Sequence, residues 1–387
     1  MYEEKPFTGS DLPLKTLCLT YDDGPGKDTL GIAEFLHEQN IRATFFVVGK
    51  YAIHSHHILE RVSSLGHLIG NHTYEHPDMP YYLSENGDVI NQVLRTDSII
   101  KKYVDGKTVF FRSPYGKWSK EVANELNLHL LSTFNHVGPI NWDVGGIDCW
   151  YWKNGRSVEE AVTRYLEEIA KVNKGIVVMH DEIADMEYLK KENNTLNLTK
   201  QLIPILRQQG YRFVRLDEIT SIKKSADEPF RFTLQCSDRK FLYLSRENSN
   251  EIHVGKAANN SLREWSLLSL ENGKIALQAS NGLYLSVKED DFSVTGTSEK
   301  VGDEEAFDLI PVSLNRLMLR AFNGNYLSKK NKSRKILAAA QFMRGGEVFT
   351  FTPINVHTEQ SQSLKQRWRS MIRKLGYIKS KVREKFF

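Results

Sequence analysis

The last third of the chain repeats one short pattern three times. The tetrapeptide LYLS occurs twice and its variant NYLS once, which places Tyr243, Tyr284 and Tyr326 at steps of 41 and 42 residues. Large aromatic residues recur at steps of 42 residues in the same region: Trp265, Phe307 and Phe349. A period of this length predicts a fold built from three copies of one supersecondary unit.

Three copies of a four-stranded unit suit a β-trefoil. A propeller blade has a similar length, but propellers use about four to eight blades. The order of an aromatic residue, a strand and an Asn-Gly turn before Tyr-Leu-Ser resembles the fascin-like β-trefoil family, over Phe230 to about Ile354. The resemblance implies an all-β domain over residues 230–355. This domain is expected either to bind a sugar or to pack against the rest of the chain. Fascin relatives also bundle actin, but nothing in this sequence singles out an actin-binding surface.

The first half of the chain alternates strand-like and helix-like segments. KTLCLTY, RATFFVVG, GIVVMH and YRFVRL are short apolar runs, which predicts buried strands. Segments such as TLGIAEFLHEQN and SVEEAVTRYLEEIAKV have the apolar spacing of amphipathic helices. Strands that alternate with helices predict parallel βα units, in an open sheet or a (β/α) barrel, with function at the carboxyl ends of the strands.

A chain of 387 residues is too long for one ordinary core, so two domains are expected. The charged, proline-containing stretch KKSADEP predicts a linker at residues 223–229, after a catalytic domain over residues 1–222. Residues 356–387 form a tail that holds nine Lys or Arg and one acidic residue from Ser361 onward, a net charge of +8. Because the whole chain has a net charge of +4, the rest of the chain has a net charge of +4 minus +8, or −4. Basic charge confined to one terminus does not predict a nucleic-acid surface.

Apolar residues recur in the tail at steps of three and four: Leu364, Trp368, Met371, Ile372, Leu375 and Ile378. This spacing predicts a basic amphipathic helix on an anionic membrane surface, with a solvated tail as the alternative.

The opening MYEEKPFTGS lacks the basic start and apolar core of a signal peptide. Cys18, Cys149 and Cys236 are far apart and odd in number, which is typical of a reducing compartment. A cytoplasmic location is expected, peripheral to a membrane if the tail binds one, unless an export segment was removed.

Two adjacent aspartates, Asp22 and Asp23, follow a strand-like run in LCLTYDDGPG. Asp, Gly and Pro are common in turns, so a plain surface turn is one interpretation. Downstream, GNHTYEHP places His72 and His76 four residues apart, so that both imidazoles can point to one position. Two histidines and one carboxylate make the three-ligand set of a catalytic zinc site. The same set suits non-haem iron oxygenases, but those usually take His and carboxylate from one H-x-D/E element, so hydrolysis is favoured.

Five motifs follow each other along the chain in the order TYDDGP, HTYEH, RSPYG, a later Asp/Trp segment and VMHD. In this order the chain resembles the polysaccharide deacetylases of carbohydrate esterase family 4. The resemblance covers roughly Leu14 to Ile219 and includes the closing LTKQLIPILRQQGYRFVRLDEI. It implies an α/β fold with a deformed (β/α) barrel, and a metal-dependent deacetylase activity.

The resemblance also implies different roles for the two aspartates. Asp22 matches the catalytic base, and Asp23 matches the metal ligand that His72 and His76 complete, with Zn²⁺ as the expected ion. A carboxylate beside metal-activated water can accept the proton as that water attacks an acetyl carbonyl. Thr73 matches a position that steadies the histidine-bearing loop by hydrogen bonding.

Other residues of the motifs match further roles in the same reaction. Arg112 resembles the arginine that orients the base through a charge-assisted hydrogen bond, and the backbone amide of Tyr115 corresponds to an oxyanion donor. His180 matches the general acid for the departing amine, and the resemblance implies that Asp148 pairs with it. Val178 falls where the family usually has a Leu that lines the acetyl pocket.

The segment NWDVGGIDCWYW departs from the family pattern, in which Asp is followed immediately by Trp. Here Asp148 is followed by Cys149, and Trp150 comes one step later. Trp150 is the candidate for the wall of the acetyl pocket, although on a strand a shift of one residue would turn its side chain to the opposite face. The substrate groove is therefore expected to differ from that of the family.

We expect a metal-dependent hydrolase that removes N-acetyl groups from an amino-sugar glycan, either a polysaccharide or a lipid-linked saccharide. An O-acetyl esterase with the same site is one alternative. A catalytically weak glycan-binding protein, in which the trefoil is the working part, is another. The expected partners are the acetylated glycan and an anionic membrane surface, without nucleic acid.

Overall fold

A computed structural model describes residues 2–104, 108–130, 135–228, 230–245, 251–256, 260–270, 273–313, 315–329, 334–342 and 345–354. The basic tail over residues 356–387 lies outside the described residues, so its amphipathic helix stays a prediction. Within the described ranges, no helix has both the length and the apolar character that crossing a membrane requires.

The N-terminal domain alternates strands and helices, as its sequence pattern predicts. Its strands are β1 Tyr2–Phe7, β2 Thr16–Asp22, β3 Thr44–Val47, β4 Leu68–Asn71, β5 Thr108–Phe110, β6 Asn135–Ile140, β7 Val144–Gly145, β8 Gly175–His180 and β9 Arg212–Val214. Its helices are α1 Thr29–Glu38, α2 Gly49–Ala52, α3 His56–Ser64, α4 Met79–Ser84, α5 Val89–Ile100, α6 Lys120–Leu130, α7 Asp148–Lys153, α8 Val158–Val172, α9 Thr195–Gln208 and α10 Thr220–Asp227.

The paired strands of this domain are all parallel. One sheet has the order β4-β3-β2-β8-β7, with β9 paired to the start of β2, and the second has the order β1-β6-β5. A parallel bridge between Asn71 and Phe111 connects the two sheets. Among the described residues the strands thus form two joined sheets of an α/β domain, and their carboxyl ends lie at one edge.

The central strand β2 separates two cores, because successive side chains of a strand point to opposite faces. Leu17, Leu19 and Tyr21 belong to one large buried cluster, which also contains apolar residues of α1, α8 and α9. Cys18 belongs to a second cluster, together with Phe46 and residues of β5 and β6. The residues at even positions therefore face the space between the two sheets, and this alternation directs Asp22 at the strand end inward as well.

The segment predicted as a linker at residues 223–229 is helical as far as Asp227, and its role as a linker stays a prediction. Helix α10 continues to Asp227, Ile222 is fully buried, and the Ala226 carbonyl accepts a hydrogen bond of 2.9 Å from Asn135 Nδ2. Lys, Ser and Ala are compatible with a helix, so the sequence of residues 223–227 does not oppose the continuation of α10.

The C-terminal domain is all-β among the described residues. Its strands are β10 Arg231–Cys236, β11 Phe241–Leu244, β12 Ile252–Gly255, β13 Glu264–Ser269, β14 Ile275–Ala279, β15 Tyr284–Val287, β16 Val294–Ser298, β17 Asp308–Ser313, β18 Arg316–Arg320, β19 Tyr326–Lys329, β20 Ile336–Ala340 and β21 Phe349–Pro353. The strands fall into three consecutive groups of four that match the three sequence repeats, as a β-trefoil requires.

The repeated aromatic residues form the centre of this domain. One buried cluster contains all three of them, Trp265, Phe307 and Phe349, and each is fully buried. Leu128 of α6, in the N-terminal domain, packs in the same cluster. The first and last strands close the domain, because β10 pairs antiparallel with β21 over five residues. The β-trefoil predicted from the period is confirmed.

Candidate metal centre and active site

Asp22 and Asp23 diverge because the backbone changes direction between them. Asp22 ends β2, whereas Asp23 has a φ of 77°, in the left-handed region that residues other than glycine rarely adopt. Both side chains are buried, with 3% and 6% of their surface exposed. The left-handed residue lets the two neighbouring carboxylates contact different partners.

The loop after Asp23 is packed tightly against Asp181. A Cβ atom on Gly24 would lie 2.1 Å from Asp181 Oδ2, so only glycine fits at this position. The Gly24 amide donates a hydrogen bond of 3.2 Å to Asp181 Oδ1, and the Thr29 hydroxyl donates to the other oxygen. Asp181 thereby fixes the position of the loop that carries Asp23.

Asp23, His72 and His76 converge on one point, as the sequence predicts. Asp23 Oδ1 lies 3.1 Å from His76 Nε2 and 3.5 Å from His72 Nε2. All three side chains are buried, and their ligand atoms lie within 4.8 Å of one another. Thr73 Oγ1 accepts a hydrogen bond of 3.1 Å from the His76 amide, which fixes the loop that carries both histidines.

The outer nitrogens of the two histidines are held by oxygen atoms. His72 Nδ1 lies 2.8 Å from the Arg112 carbonyl, and His76 Nδ1 lies 2.6 Å from Asp185 Oδ2. A carbonyl oxygen can only accept, so His72 Nδ1 carries the proton and the Nε2 lone pair points inward. This tautomer is the one that a metal-binding histidine adopts when its other nitrogen donates a hydrogen bond.

The Asp23 carboxylate supplies a test of whether a cation fits. Asp23 Oδ2 accepts a hydrogen bond of 3.0 Å from the Ala184 amide, but Oδ1 is buried and has no hydrogen-bond donor among the described residues. A buried carboxylate oxygen without a donor is costly, and here it faces two imidazole nitrogens. A divalent cation between these three atoms would satisfy all of them, so the residues fit a metal ion.

The charge balance around His76 agrees with this. Burial by itself acts to lower the pKa of His76, but the Asp23 and Asp185 carboxylates on its two sides raise it to about 9. Burial likewise acts to raise the pKa of Asp23, but His76 and His72 hold it well below its ordinary value. The site thus favours a positive charge between Asp23 and the histidines.

Arg112 fixes the second aspartate. Its side chain is completely buried, and Nη1 donates hydrogen bonds of 2.6 Å to Asp22 Oδ1 and 2.8 Å to Thr20 Oγ1. Nε donates to the Ile140 carbonyl at 3.1 Å, and the guanidinium lies 4.3 Å from the centre of the Phe46 ring. Asp22 Oδ2 remains turned towards the metal centre, 3.9 Å from His72 Nε2.

His180 and Asp148 form a hydrogen-bonded pair at the end of β8. His180 Nδ1 donates to Asp148 Oδ1 at 2.8 Å, while Asp148 Oδ2 accepts the His180 amide at 2.6 Å and the Thr195 hydroxyl at 3.3 Å. Burial acts to lower the pKa of His180, but the Asp148 carboxylate on Nδ1 acts in the opposite direction, and the pKa lies well above its ordinary value. The imidazole is therefore held in a fixed orientation in which it can carry and release a proton.

Tyr115 and Val178 lie beside these two groups. Tyr115 has a φ of 57°, its ring is centred 4.6 Å from the His76 ring, and its hydroxyl donates to Asp185. Val178 is two residues before His180 on β8, so both side chains leave the strand on the same face, and Val178 is fully buried.

The predicted position of Trp150 rested on a strand that the structure does not contain. Asp148, Cys149 and Trp150 open helix α7, where consecutive side chains point about 100° apart rather than to opposite faces. Cys149 is the residue beside His180, within 4.8 Å by their ligand atoms, whereas Trp150 is 55% exposed and its ring packs edge-on against Tyr151. A role of Trp150 in the acetyl pocket stays a prediction.

Two acidic residues of the site were missed by the sequence analysis. Asp185 joins His76 to Tyr115, and Asp181 supports the Gly24 loop. Both follow strand β8 in HDEIAD. The signal that singled out Asp22 and Asp23, an acidic residue at the end of a buried strand, was present for Asp181, which directly follows His180.

Comparison with known proteins gives two family matches. The model of the polysaccharide deacetylase family matches residues 9–132, and the model of the FRG1-like domain matches residues 242–386. The second match begins inside the β-trefoil and extends into the basic sequence of residues 356–387.

Several relatives of the N-terminal domain are named as glycan deacetylases. The peptidoglycan-N-acetylglucosamine deacetylase PgdA of Listeria monocytogenes is 31% identical over 207 residues, which are 53% of this chain and 39% of that protein. A chitooligosaccharide deacetylase of Sinorhizobium fredii is 32% identical over 217 residues, which are 53% of this chain and 91% of that enzyme. A solved structure of the Bc1960 peptidoglycan N-acetylglucosamine deacetylase aligns at 26% identity with a TM-score of 0.44, over 55% of this chain and 91% of its own. The chain thus spans about two fifths of the Listeria protein's length.

Proposed function

The chain belongs to the polysaccharide deacetylase family, carbohydrate esterase family 4, and we propose that it hydrolyses N-acetyl groups of an amino-sugar glycan. The substrate class is supported by the relatives, which are named for N-acetylglucosamine in peptidoglycan and for chitooligosaccharides. Because the chain matches only part of the Listeria protein, both the activity and the substrate are proposals.

One observation carries the proposal. Asp22, held by Arg112, and His180, held by Asp148, stand opposite each other at the ends of the neighbouring strands β2 and β8. The Asp23 centre lies directly beside them, with Asp22 Oδ2 3.9 Å from His72 Nε2. Asp22 as proton acceptor and His180 as proton donor, on neighbouring strand ends beside a metal-binding position, would supply the pair that amide hydrolysis requires.

Asp23, His72 and His76 would hold the metal ion, for which zinc is the expected identity. When bound, such an ion supplies Lewis-acid polarisation of the acetyl carbonyl and lowers the pKa of water at the site. Asp22 accepts the proton of the attacking water through its free Oδ2. Arg112 aligns Asp22 for this step through a buried, charge-assisted hydrogen bond.

The other half of the reaction falls to His180. Amide cleavage needs a proton on the departing amine nitrogen, and the raised pKa of His180 favours the protonated imidazole that can give it. Asp148 fixes the tautomer, because it binds Nδ1 and leaves Nε2 for the substrate. The Tyr115 amide donates to the oxyanion of the tetrahedral intermediate, and Val178 lines the floor of the acetyl pocket.

The test is acetate release from N-acetylglucosamine oligomers and from peptidoglycan fragments, with the wild-type protein and with Asp22→Asn. We expect release that a chelator abolishes and that added Zn²⁺ restores, and a large loss in the variant. Acetate release that survives both the chelator and the substitution would contradict the proposed mechanism. Release from O-acetylated xylan but not from N-acetylated oligomers would point to an esterase instead.

A further inference from the structure

A second group of metal-binding side chains lies beside the proposed general acid. Asp148, Cys149 and His180 place a carboxylate oxygen, a thiol sulfur and an imidazole nitrogen within 4.8 Å of one another. Asp148 is completely buried, and Cys149 and His180 are partly buried. None of these three residues belongs to the Asp23 centre.

A tetrahedral ion would require Asp148 Oδ1 and His180 Nδ1, which are 2.8 Å apart in a hydrogen bond, to separate slightly. Zn²⁺ binds sulfur at about 2.3 Å and nitrogen or oxygen at about 2.0–2.2 Å, which puts neighbouring ligand atoms about 3.4–3.6 Å apart. Asp148 is positioned by hydrogen bonds from the His180 amide and Thr195, so one ligand is already fixed. Its Oδ1 accepts a single hydrogen bond and retains a lone pair for an ion.

The thiol determines which ions this group selects. The Asp23 centre has only nitrogen and oxygen ligands, whereas Cys149 adds a soft sulfur that favours zinc and cadmium over magnesium, calcium and manganese. Burial raises the pKa of Cys149 to about 11, so the free side chain is a thiol rather than a reactive thiolate. Ion capture therefore fits Cys149 better than redox chemistry does.

We propose that Asp148, Cys149 and His180 form a second, inhibitory site for thiophilic divalent cations. Binding exchanges protons for the ion: the Cys149 thiol loses its proton to solvent, and the proton on the coordinating His180 nitrogen leaves as well. Asp148 lies at Nδ1, so this nitrogen coordinates the ion and Nε2 keeps one proton. Loss of that proton would leave an imidazolate, so the bound ion makes His180 too weak an acid for the leaving amine. The binding site stands on its own geometry, while the inhibition rests on the proposed deacetylase activity.

The first experiment uses Cd²⁺ as the probe and does not depend on activity. Thiolate ligation of Cd²⁺ produces a charge-transfer absorption in the ultraviolet that nitrogen and oxygen ligands do not produce. We expect this band when Cd²⁺ is titrated into the full chain, and its loss in Cys149→Ser. Cys236→Ser is the matched control and should retain the band, because Cys236 is a buried thiol of the trefoil.

The variant His72→Ala separates the two centres. We expect it to keep the Cd²⁺ band, because His72 belongs only to the Asp23 centre. A band lost in His72→Ala as well would show that Cys149 ligates the ion of the Asp23 centre, and the separate site would be wrong. A titration of the wild-type protein without any such band would also overturn it.

The second experiment measures inhibition of the zinc-loaded enzyme by excess Zn²⁺. Each variant is compared with its own rate at one equivalent, so that a change in basal rate does not matter. We expect the concentration for half inhibition to rise about tenfold or more in Cys149→Ser and to stay unchanged in Cys236→Ser. Equal inhibition of both variants would contradict the inhibitory role even if the Cd²⁺ band is present.

Discussion

Asp22 and His180 are direct partners in the parallel pairing of β2 with β8. Each is the last residue of its strand, and each is held by its own charged partner, Arg112 for Asp22 and Asp148 for His180. The parallel register therefore places the proposed base and acid side by side at the carboxyl ends of two neighbouring strands, although 157 residues lie between them along the chain.

Replacing Asp22 by Asn should remove the proton acceptor while preserving the shape of the site. We expect kcat/KM for acetate release to fall by about 10²–10⁴, because an amide cannot take the proton of the attacking water. The metal content, measured by elemental analysis, should not change. The exposed Asp290→Asn serves as the control, and wild-type kinetics in Asp22→Asn would refute its role as base.

Replacing His72 by Ala should empty the Asp23 centre. The remaining Asp23 and His76 leave two protein ligands, and Asp23 Oδ1 keeps only one of its two imidazole neighbours. We expect the zinc content of the purified protein, measured by mass spectrometry of the metal, to fall to a small fraction of one equivalent. His57→Ala, an exposed histidine of α3, should retain full metal content, and a full equivalent in His72→Ala would show that the centre is misplaced.

Asp185 is expected to act through His76 rather than on the substrate. Its carboxylate accepts hydrogen bonds from His76 Nδ1 and from the Tyr115 hydroxyl. Since such outer partners orient a ligand, Asp185→Asn should weaken zinc affinity by about 10–100-fold. Competition with a chromophoric chelator measures the affinity, and Asp185 has no orienting role if the variant holds zinc as tightly as the wild type.

A methyl group on Gly24 should disturb both stability and activity. The Cβ atom of Gly24→Ala would meet Asp181 Oδ2 at 2.1 Å, so the Asp23 loop has to shift. We expect the free energy of unfolding to fall by about 1–3 kcal/mol, as for other overpacked positions. Gly302→Ala is the control, since its nearest neighbour lies at an ordinary 3.4 Å, and equal unfolding midpoints in denaturant for both variants would contradict the clash.

His67 should make the stability of the N-terminal domain depend on pH. It is buried between the Ala43 amide and the Ala33 carbonyl, and burial lowers its pKa to about 4. Between pH 4 and the unfolded pKa of about 6.5, the unfolded chain binds more protons, so stability is complete above this range and declines as the pH falls through it.

The loss attributable to His67 should reach about 3 kcal/mol at most. Denaturant unfolding at pH 7 and pH 5 measures it, with His67→Gln as the comparison because Gln can still donate one hydrogen bond and accept the other. We expect the variant to show a smaller decrease in stability on acidification. Parallel decreases for both proteins would show that His67 is not the group responsible.

The residues that could be predicted from the sequence are those whose spacing has a structural meaning. The steps of about 42 residues identified Trp265, Phe307 and Phe349 as one core, because a repeat places equivalent residues in equivalent positions. His72 and His76 were likewise identifiable as a pair from their separation of four. In both cases a short local rule determined the three-dimensional arrangement.

The parts that could not be predicted depend on contacts between distant segments. Asp185 reaches His76 across 109 residues, and no local pattern fixes that distance. The orientation of Cys149 and Trp150 depended on whether their segment is a strand or a helix, and the six residues of α7 are too few for an apolar period to decide. The helical end of α10 was missed because Lys, Ser and Asp suit a linker as well as a surface helix.

The pairing of β10 with β21 also decides where the chain leaves the trefoil. The Ile354 amide donates a hydrogen bond of 2.9 Å to the Arg231 carbonyl, so the exit of the domain lies against its entrance. Both ends of the trefoil therefore lie at its junction with the deacetylase domain. A partner that binds the sequence after residue 355 would therefore be held close to the deacetylase domain, whatever the size of the trefoil.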